Sequence, residues 1–225
     1  MAHLLDNIVW NTLTGPQANF AAGVGGARRY QRGFSALIGL EHPDRPDFAS
    51  LAPFCKQDEQ FYCPDWRGPI PEGWRLEEET VMLRMIWAGK APAHEPDLDA
   101  QPLAHEHAAQ ALALAELTHP GPFGLRTIEL GEYFGIFEGA RLVAMAGERF
   151  HAGPFREISG VCTHPEYQGR GIARKLTEKL LVRELARGQT PFLHVMRNNT
   201  VARTLYEGMG FRLYLETLVR VITVA

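Results

Sequence analysis

A chain of 225 residues, 45% hydrophobic and 22% charged, has the composition of a folded globular protein and the length for one large domain or two lobes. A formal net charge of −3 argues against broad attraction to nucleic acid or an anionic membrane and favours small-molecule or protein partners. Three cysteines, Cys55, Cys63 and Cys162, make no disulfide framework, and with no signal-like start and no run of about 18 apolar residues the expected setting is cytoplasmic.

The first ninety-odd residues hold turn-rich segments, such as 22–26 and 63–71, and one clear strand candidate at 80–87. Residues 88–102 are rich in proline and acidic side chains and read as a linker or crossing loop, which places a boundary near residue 95 between a lobe 1–95 and a domain 96–225. An alanine- and leucine-rich helix is expected over 105–118, ended by His119-Pro120-Gly121-Pro122. Strands over 133–138 and 141–149, joined by a tight turn at 137–140, are followed by a third over 156–163. Ile172, Leu176, Leu180 and Leu185, with Ala173 and Leu181, then mark one face of a helix whose other face carries Lys175, Glu178, Lys179 and Arg183, and Gly188 ends it. A strand at 192–196, a one-sided helix through Val201, Ala202, Leu205, Tyr206 and Met209, and a strand over 211–224 complete the chain. The expected fold is α/β, with a mixed sheet whose antiparallel start turns parallel across the long helix.

The richest stretch is 164–176. Gln168-Gly169-Arg170-Gly171-Ile172-Ala173 forms a glycine-bearing turn that opens a helix directly after a strand, so unpaired N–H groups point out of the first turn. Such a start favours a nearby negative charge by about 0.3–1 kcal/mol, and a diphosphate shared among several N–H groups would anchor a whole cofactor there.

Gln168-x-x-Gly171-x-Ala173 resembles the Q/R-x-x-G-x-G/A signature of the GCN5-related N-acetyltransferases (GNAT), and Asn199-x-x-Ala202-x-x-Leu205-Tyr206-Glu207-x-x-Gly210-Phe211 resembles the second block of that family. The resemblance covers roughly residues 105–225. It implies a mixed, splayed central sheet of the acyl-CoA N-acyltransferase type, acetyl-CoA (coenzyme A) as co-substrate, an amine acceptor, and a monomer or homodimer. By the same resemblance, backbone groups of Val161, Cys162 and Thr163 would pair with the pantetheine arm, and Gln168, Gly169, Arg170, Gly171, Ile172, Ala173 and Arg174 would hold the pyrophosphate. Asn199 would touch the cofactor arm. Tyr206 would stand near the thioester sulfur as a proton donor, useful to a leaving thiolate of pKa near 8.5 and typically worth about 10²–10⁴ in rate.

Glu157 lies eleven residues before Gln168, the offset at which the histone-acetylating branch carries its basic glutamate. A lysine-like ammonium must lose a proton before it attacks, and burial among apolar neighbours would raise the Glu157 pKa toward that task. The extra lobe resembles the degenerate amino-terminal half of glycine N-acyltransferase-like (FR47-like) proteins. In that arrangement 80–87 would continue the sheet, and Phe61, Tyr62 and Trp66 would line the acceptor side or simply pack in a core.

Structural roles compete at each position. Tyr206 sits on an apolar stripe, Glu157 suits a salt bridge, and Asn199 is a natural N-cap for a helix starting at Thr200. His164 and His194 are rival proton acceptors. Cys162 reads as a buried, inert thiol rather than an acyl carrier. His105-Glu106-His107 has no further ligand at metal spacing, so no metal is expected, and Gly23-x-Gly25 reads as a loop. The leading expectation is direct acetyl transfer to a primary amine of a small molecule or peptide. The alternatives are a non-catalytic acyl-CoA sensor and an acyltransferase for longer acyl donors.

Overall fold

The computed structural model describes residues 3–225. Its amino-terminal part contains α1 (Ile8–Thr14), the short strands β1 (Ala21–Ala22), β2 (Ala27–Tyr30) and β3 (Ile38–Leu40), α2 (Phe48–Leu51), β4 (Gln60–Pro64) and β5 (Trp74–Trp87). There follow β6 (Gln101–Pro102), α3 (Ala108–Thr118), β7 (Tyr133–Glu138), β8 (Arg141–Ala152), β9 (Phe155–Thr163), α4 (Ile172–Ala186), β10 (Thr190–Met196), α5 (Thr200–Met209) and β11 (Phe211–Val224).

Strands β1, β2 and β3 form a small antiparallel sheet. The main sheet has eight strands in the order β4-β11-β5-β10-β9-β8-β7-β6. β7, β8 and β9 are antiparallel neighbours, and β9 and β10 are parallel across α4, as the order of elements predicts. β5 lies between β11 and β10, so the first 95 residues supply two strands of the main sheet and the sheet runs continuously across the boundary near 95. The 80–87 strand does continue the sheet and is longer than expected, because Trp74 is buried at its start and the exposed run 75–79 is held along β11 rather than by burial.

The parallel pairing is short. β9 and β10 are in register only from Thr190↔Phe155 to Phe192↔Glu157, and beyond that point the two strands part. The mixed, splayed α/β sheet expected from sequence is therefore present. On one face, Leu176, Leu180 and Leu181 of α4 pack with Leu83, Ile158, Leu193 and Val195, each buried leucine contributing about 1.5–3 kcal/mol. On the other, Leu5, Ile8, Val9 and Leu13 cover Phe150, Phe155 and Phe192.

The 88–102 segment differs from a free linker. Glu95 pairs with Lys179 at 2.5 Å and Arg183 at 3.1 Å, while Leu98 and Ala100 pack against the α4 core. The charged face of α4 is thus partly covered, with Lys179 and Arg183 also lying over the Phe134 ring.

Candidate active site

Where β9 and β10 diverge, a cavity of about 480 Å³ opens. A bulge shapes one wall: Met145 pairs with Cys162 and Gly147 with Ser159, so Gly160 and Val161 together oppose Ala146. Val161, Cys162 and Thr163 line this side, α5 contributes Val201, Ala202, Leu205 and Tyr206, and Thr118, His119 and Pro120 close it from the end of α3.

The 168–174 turn forms the mouth. Gly169 and Gly171 have φ of 75° and 74°, and a Cβ at either would meet nothing within 4 Å, so the backbone faces open space. Among the described residues, no side chain caps α4. The N–H groups of Ile172, Ala173 and Arg174 lack intrahelical partners by helix geometry. Gln168 ties this turn to the strand, its Nε2 donating to the Thr163 carbonyl at 3.1 Å. The Thr163 hydroxyl is buried without a hydrogen-bond partner on the same wall. A concavity of this volume, a row of free N–H donors and an orphaned hydroxyl fit a long ligand carrying a diphosphate at one end.

Tyr206 is buried by packing on α5 and against Phe211, at a ring separation of 5.9 Å. Its hydroxyl makes no hydrogen bond among the described residues, and burial pushes its pKa up to about 12, so it is a standing proton donor. Asn199 caps α5, its Oδ1 accepting from Ala202 N–H at 3.1 Å, while also lining the cavity. Burial raises the Cys162 thiol to about 11, which makes a thiolate nucleophile unavailable near neutrality.

A buried polar chain crosses the opposite face of the sheet. In β8, Arg149 and Phe150 bulge opposite Glu157, because the register jumps between Glu148↔Ile158 and His151↔Arg156. The bulge frees the Phe150 N–H, which donates to Glu157 Oε2 at 3.2 Å. Arg149 adds two bonds of 2.9 Å, one to each carboxylate oxygen. His194 Nδ1 lies 2.7 Å from Oε1. Arg84, opposite His194 on β5, donates from Nε to His194 Nε2 at 2.9 Å. Since arginine only donates, Nε2 of His194 accepts and Nδ1 carries the proton that Glu157 receives. Arg84 continues the chain to Asp65 at 3.2 Å and to the Leu5 and Asp6 carbonyls.

This arrangement corrects the expected titration of Glu157. Burial by itself would raise its carboxyl, but the Arg149 charge and the bonds from His194 and Arg149 outweigh it and bring the pKa down to about 2. All its acceptor positions are taken. His194, in contrast, is held neutral, burial lowering its pKa against the pull of Glu157.

The family model for FR47-like proteins matches residues 133–221. The crystal structure of a protein from the GNAT family of Novosphingobium aromaticivorans DSM 12444 superposes with a TM-score of 0.88 at 31% identity, covering 100% of both chains. The chain belongs to the GNAT superfamily. The N-alpha-acetyltransferase RimI of Mycobacterium tuberculosis is 39% identical over 83 residues, 36% of this chain and 51% of the relative. An uncharacterized protein of Mycobacterium leprae is 33% identical over 100 residues, 41% of this chain and 27% of the relative. The matches thus span about half of the first curated relative and about a quarter of the second. This family comprises acyltransferases, and GNAT acetyltransferases use acetyl-CoA as co-substrate.

In this GNAT chain the cleft brings together Val161, Cys162, Thr163, Gln168, Gly169, Gly171, Ile172, Ala173, Arg174, Asn199 and Tyr206. Arg170 does not line it: its guanidinium donates to the Glu166 carbonyl and lies over Tyr167. Glu157 is also outside this cavity. Of the aromatic residues proposed for the acceptor side, Phe61 and Trp66 are core, and half-buried Tyr62 alone lines a second, small cavity. Sequence reading missed Arg149 and Arg84, although charges inside the apolar runs 142–150 and 81–87 signal that buried partners must exist. Among the described residues, no helix is long and apolar enough to cross a membrane and no cluster of ligands could hold a metal.

Proposed function

We propose that the protein is an N-acetyltransferase that moves an acetyl group from acetyl-CoA to a primary amine of a small molecule or peptide by direct attack. The observation that carries this reading is the row of free N–H groups at 169–174, set at the mouth of a cleft whose wall presents the unengaged Tyr206 hydroxyl. Acetyl-CoA would supply the activated acyl group as a thioester. The N–H groups of the turn and the first turn of α4 hold its diphosphate, and the free edge of β9 at Val161–Thr163 receives the amide-bearing arm. Tyr206 holds a proton for the departing thiolate, and Asn199 fixes the start of the helix that carries it.

Glu157 acts in this reading as a positioning residue. A carboxylate with a pKa of about 2 and no vacant acceptor position is a poor proton acceptor, so the amine must arrive with a low pKa of its own. At pH 7.4 a lysine-like amine is neutral at about one part in a thousand, whereas an α-amino group of pKa about 7.7–8.0 is roughly a quarter neutral. An α-amino acceptor is therefore favoured, in keeping with the N-alpha-acetyltransferase activity for which the Mycobacterium tuberculosis relative is named.

The test follows thiol release from acetyl-CoA over a panel of α- and ε-amines, with propionyl-CoA in parallel. Transfer to α-amines is the expected outcome. Tight cofactor binding with no transfer to any amine would favour the sensor function instead.

A further inference from the structure

The small cavity beside Arg149, of about 40 Å³, is lined by Val9, Leu37, Tyr62, Met82 and Met196 as well as Arg149 and His194. It lies close to the donor cleft. Pro120 walls the cleft and Pro122 the small cavity, and two residues of chain span at most about 7 Å. Met196 and Asn199, three residues apart on the other side, stand in the same relation. A volume of this size holds a few water molecules or a small side chain.

The Arg149 side chain is 10% exposed. Its Nε and Nη2 are committed to Glu157, and Nη1 has no hydrogen-bond partner among the described residues. Glu157 already neutralises this guanidinium, His194 is uncharged, and Asp65 balances Arg84. A ligand carboxylate would add an unbalanced buried charge next to Glu157, which is costly, whereas a neutral oxygen would satisfy Nη1 without one.

Building on the acetyltransferase reading, we propose that this cavity receives the acceptor and that Arg149 Nη1 donates to an uncharged carbonyl oxygen on it. The acceptor class is then an amino amide or the amino end of a peptide with a small first side chain, not a free amino acid. Glu157 orients the donor.

Acetylated products serve as probes because they carry no titrating amine. With the protein saturated in coenzyme A, calorimetry compares N-acetylalaninamide, N-acetylalanine and N-ethylacetamide. The amide should bind at least about tenfold more tightly than either of the others. Arg149→Met should abolish that preference, and Tyr62→Trp should weaken amide binding about tenfold or more, with coenzyme A affinity unchanged in both. Should Arg149→Met not fold, the wild-type ranking and Tyr62→Trp still decide the matter. Equal binding of the three probes, preference for N-acetylalanine, or no binding of any to the coenzyme A complex overturns the proposal. If N-acetylalaninamide binds but no amine is acetylated, the catalytic reading fails and this site stands. Acetylation of amines without dependence on a carbonyl has the reverse meaning.

Discussion

Arg149 and Glu157 meet face to face across the β8–β9 hairpin, with Nε and Nη2 each 2.9 Å from a different carboxylate oxygen. Because this ion pair is buried, removing one charge strands the other, which typically costs about 3–5 kcal/mol. Glu157→Gln should therefore lower the urea midpoint substantially. A group that titrates at about 2 sets no limb between pH 5 and 8, so the acid limb of kcat/KM should keep its position while the rate falls. Displacement of that limb in the variant would restore Glu157 as the proton acceptor.

Tyr206→Phe removes a hydroxyl that has no hydrogen-bond partner among the described residues, so stability and coenzyme A affinity should stay near those of the parent. The transfer rate should fall by about 10²–10⁴ if this hydroxyl is the proton donor to the thiolate. With its pKa raised to about 12, Tyr206 stays protonated through the alkaline range and should impose no alkaline limb on the parent below pH 10. Single-turnover rates measured from pH 6 to 10 check both points. An unaltered rate in the phenylalanine variant removes Tyr206 from the chemistry.

Gly171 stands at φ 74° at the start of α4, where a Cβ meets nothing within 4 Å. Gly171→Ala therefore brings backbone strain, about 1–2 kcal/mol in the left-handed region, and a methyl group in the space assigned to the diphosphate. Calorimetry should show coenzyme A affinity reduced about tenfold or more, with a far smaller effect on dephosphorylated pantetheine. Equal losses for the two ligands would place the diphosphate elsewhere.

The elements that line the proposed donor cleft were legible because they are local. A turn and helix start at 168–174 and a helix at 200–209 announce themselves through glycine spacing and a one-sided apolar stripe, and β11 follows its expected bounds at 211–224. The Glu157 environment was not, since the sign of its pKa shift depends on Arg149 eight residues away and His194 thirty-seven residues away, which only the sheet order brings together. The small cavity draws Val9, Tyr62, Met82, Arg149 and Met196 from five separate segments, none with a local signature. The 88–102 segment reads as a linker by composition because its anchors, Lys179 and Arg183, lie 84 and 88 residues from Glu95. Residues 74–79 carry three consecutive glutamates that hide a strand, and Arg220 of β11 pairs with Glu79 of that run at 2.7 Å.

Stability should depend on pH in two opposed ways. His194 is held neutral mainly by burial, and burial with the Arg156 charge brings His151 down to about 4, so below pH 6.5 the unfolded chain binds protons that the folded chain refuses. Stability from these groups declines as pH falls below 6.5, and Glu157 adds a further loss from about pH 4.5 toward 2. Glu184 works in the opposite direction. Fully buried on α4, with neither carboxyl oxygen hydrogen-bonded among the described residues, it is pushed well above the ordinary range by burial and by Glu148. Its folded form binds a proton that the unfolded form gives up, so it costs stability as pH rises above 4.5. Glu184→Leu should remove that cost and raise stability at pH 7 by about 1–3 kcal/mol, the usual penalty of an unpaired buried polar group. Urea titrations of parent and variant at pH 4.5, 5.5, 7 and 8 should diverge as pH rises, and a gap that stays constant or closes would show that Glu184 is paired in solution.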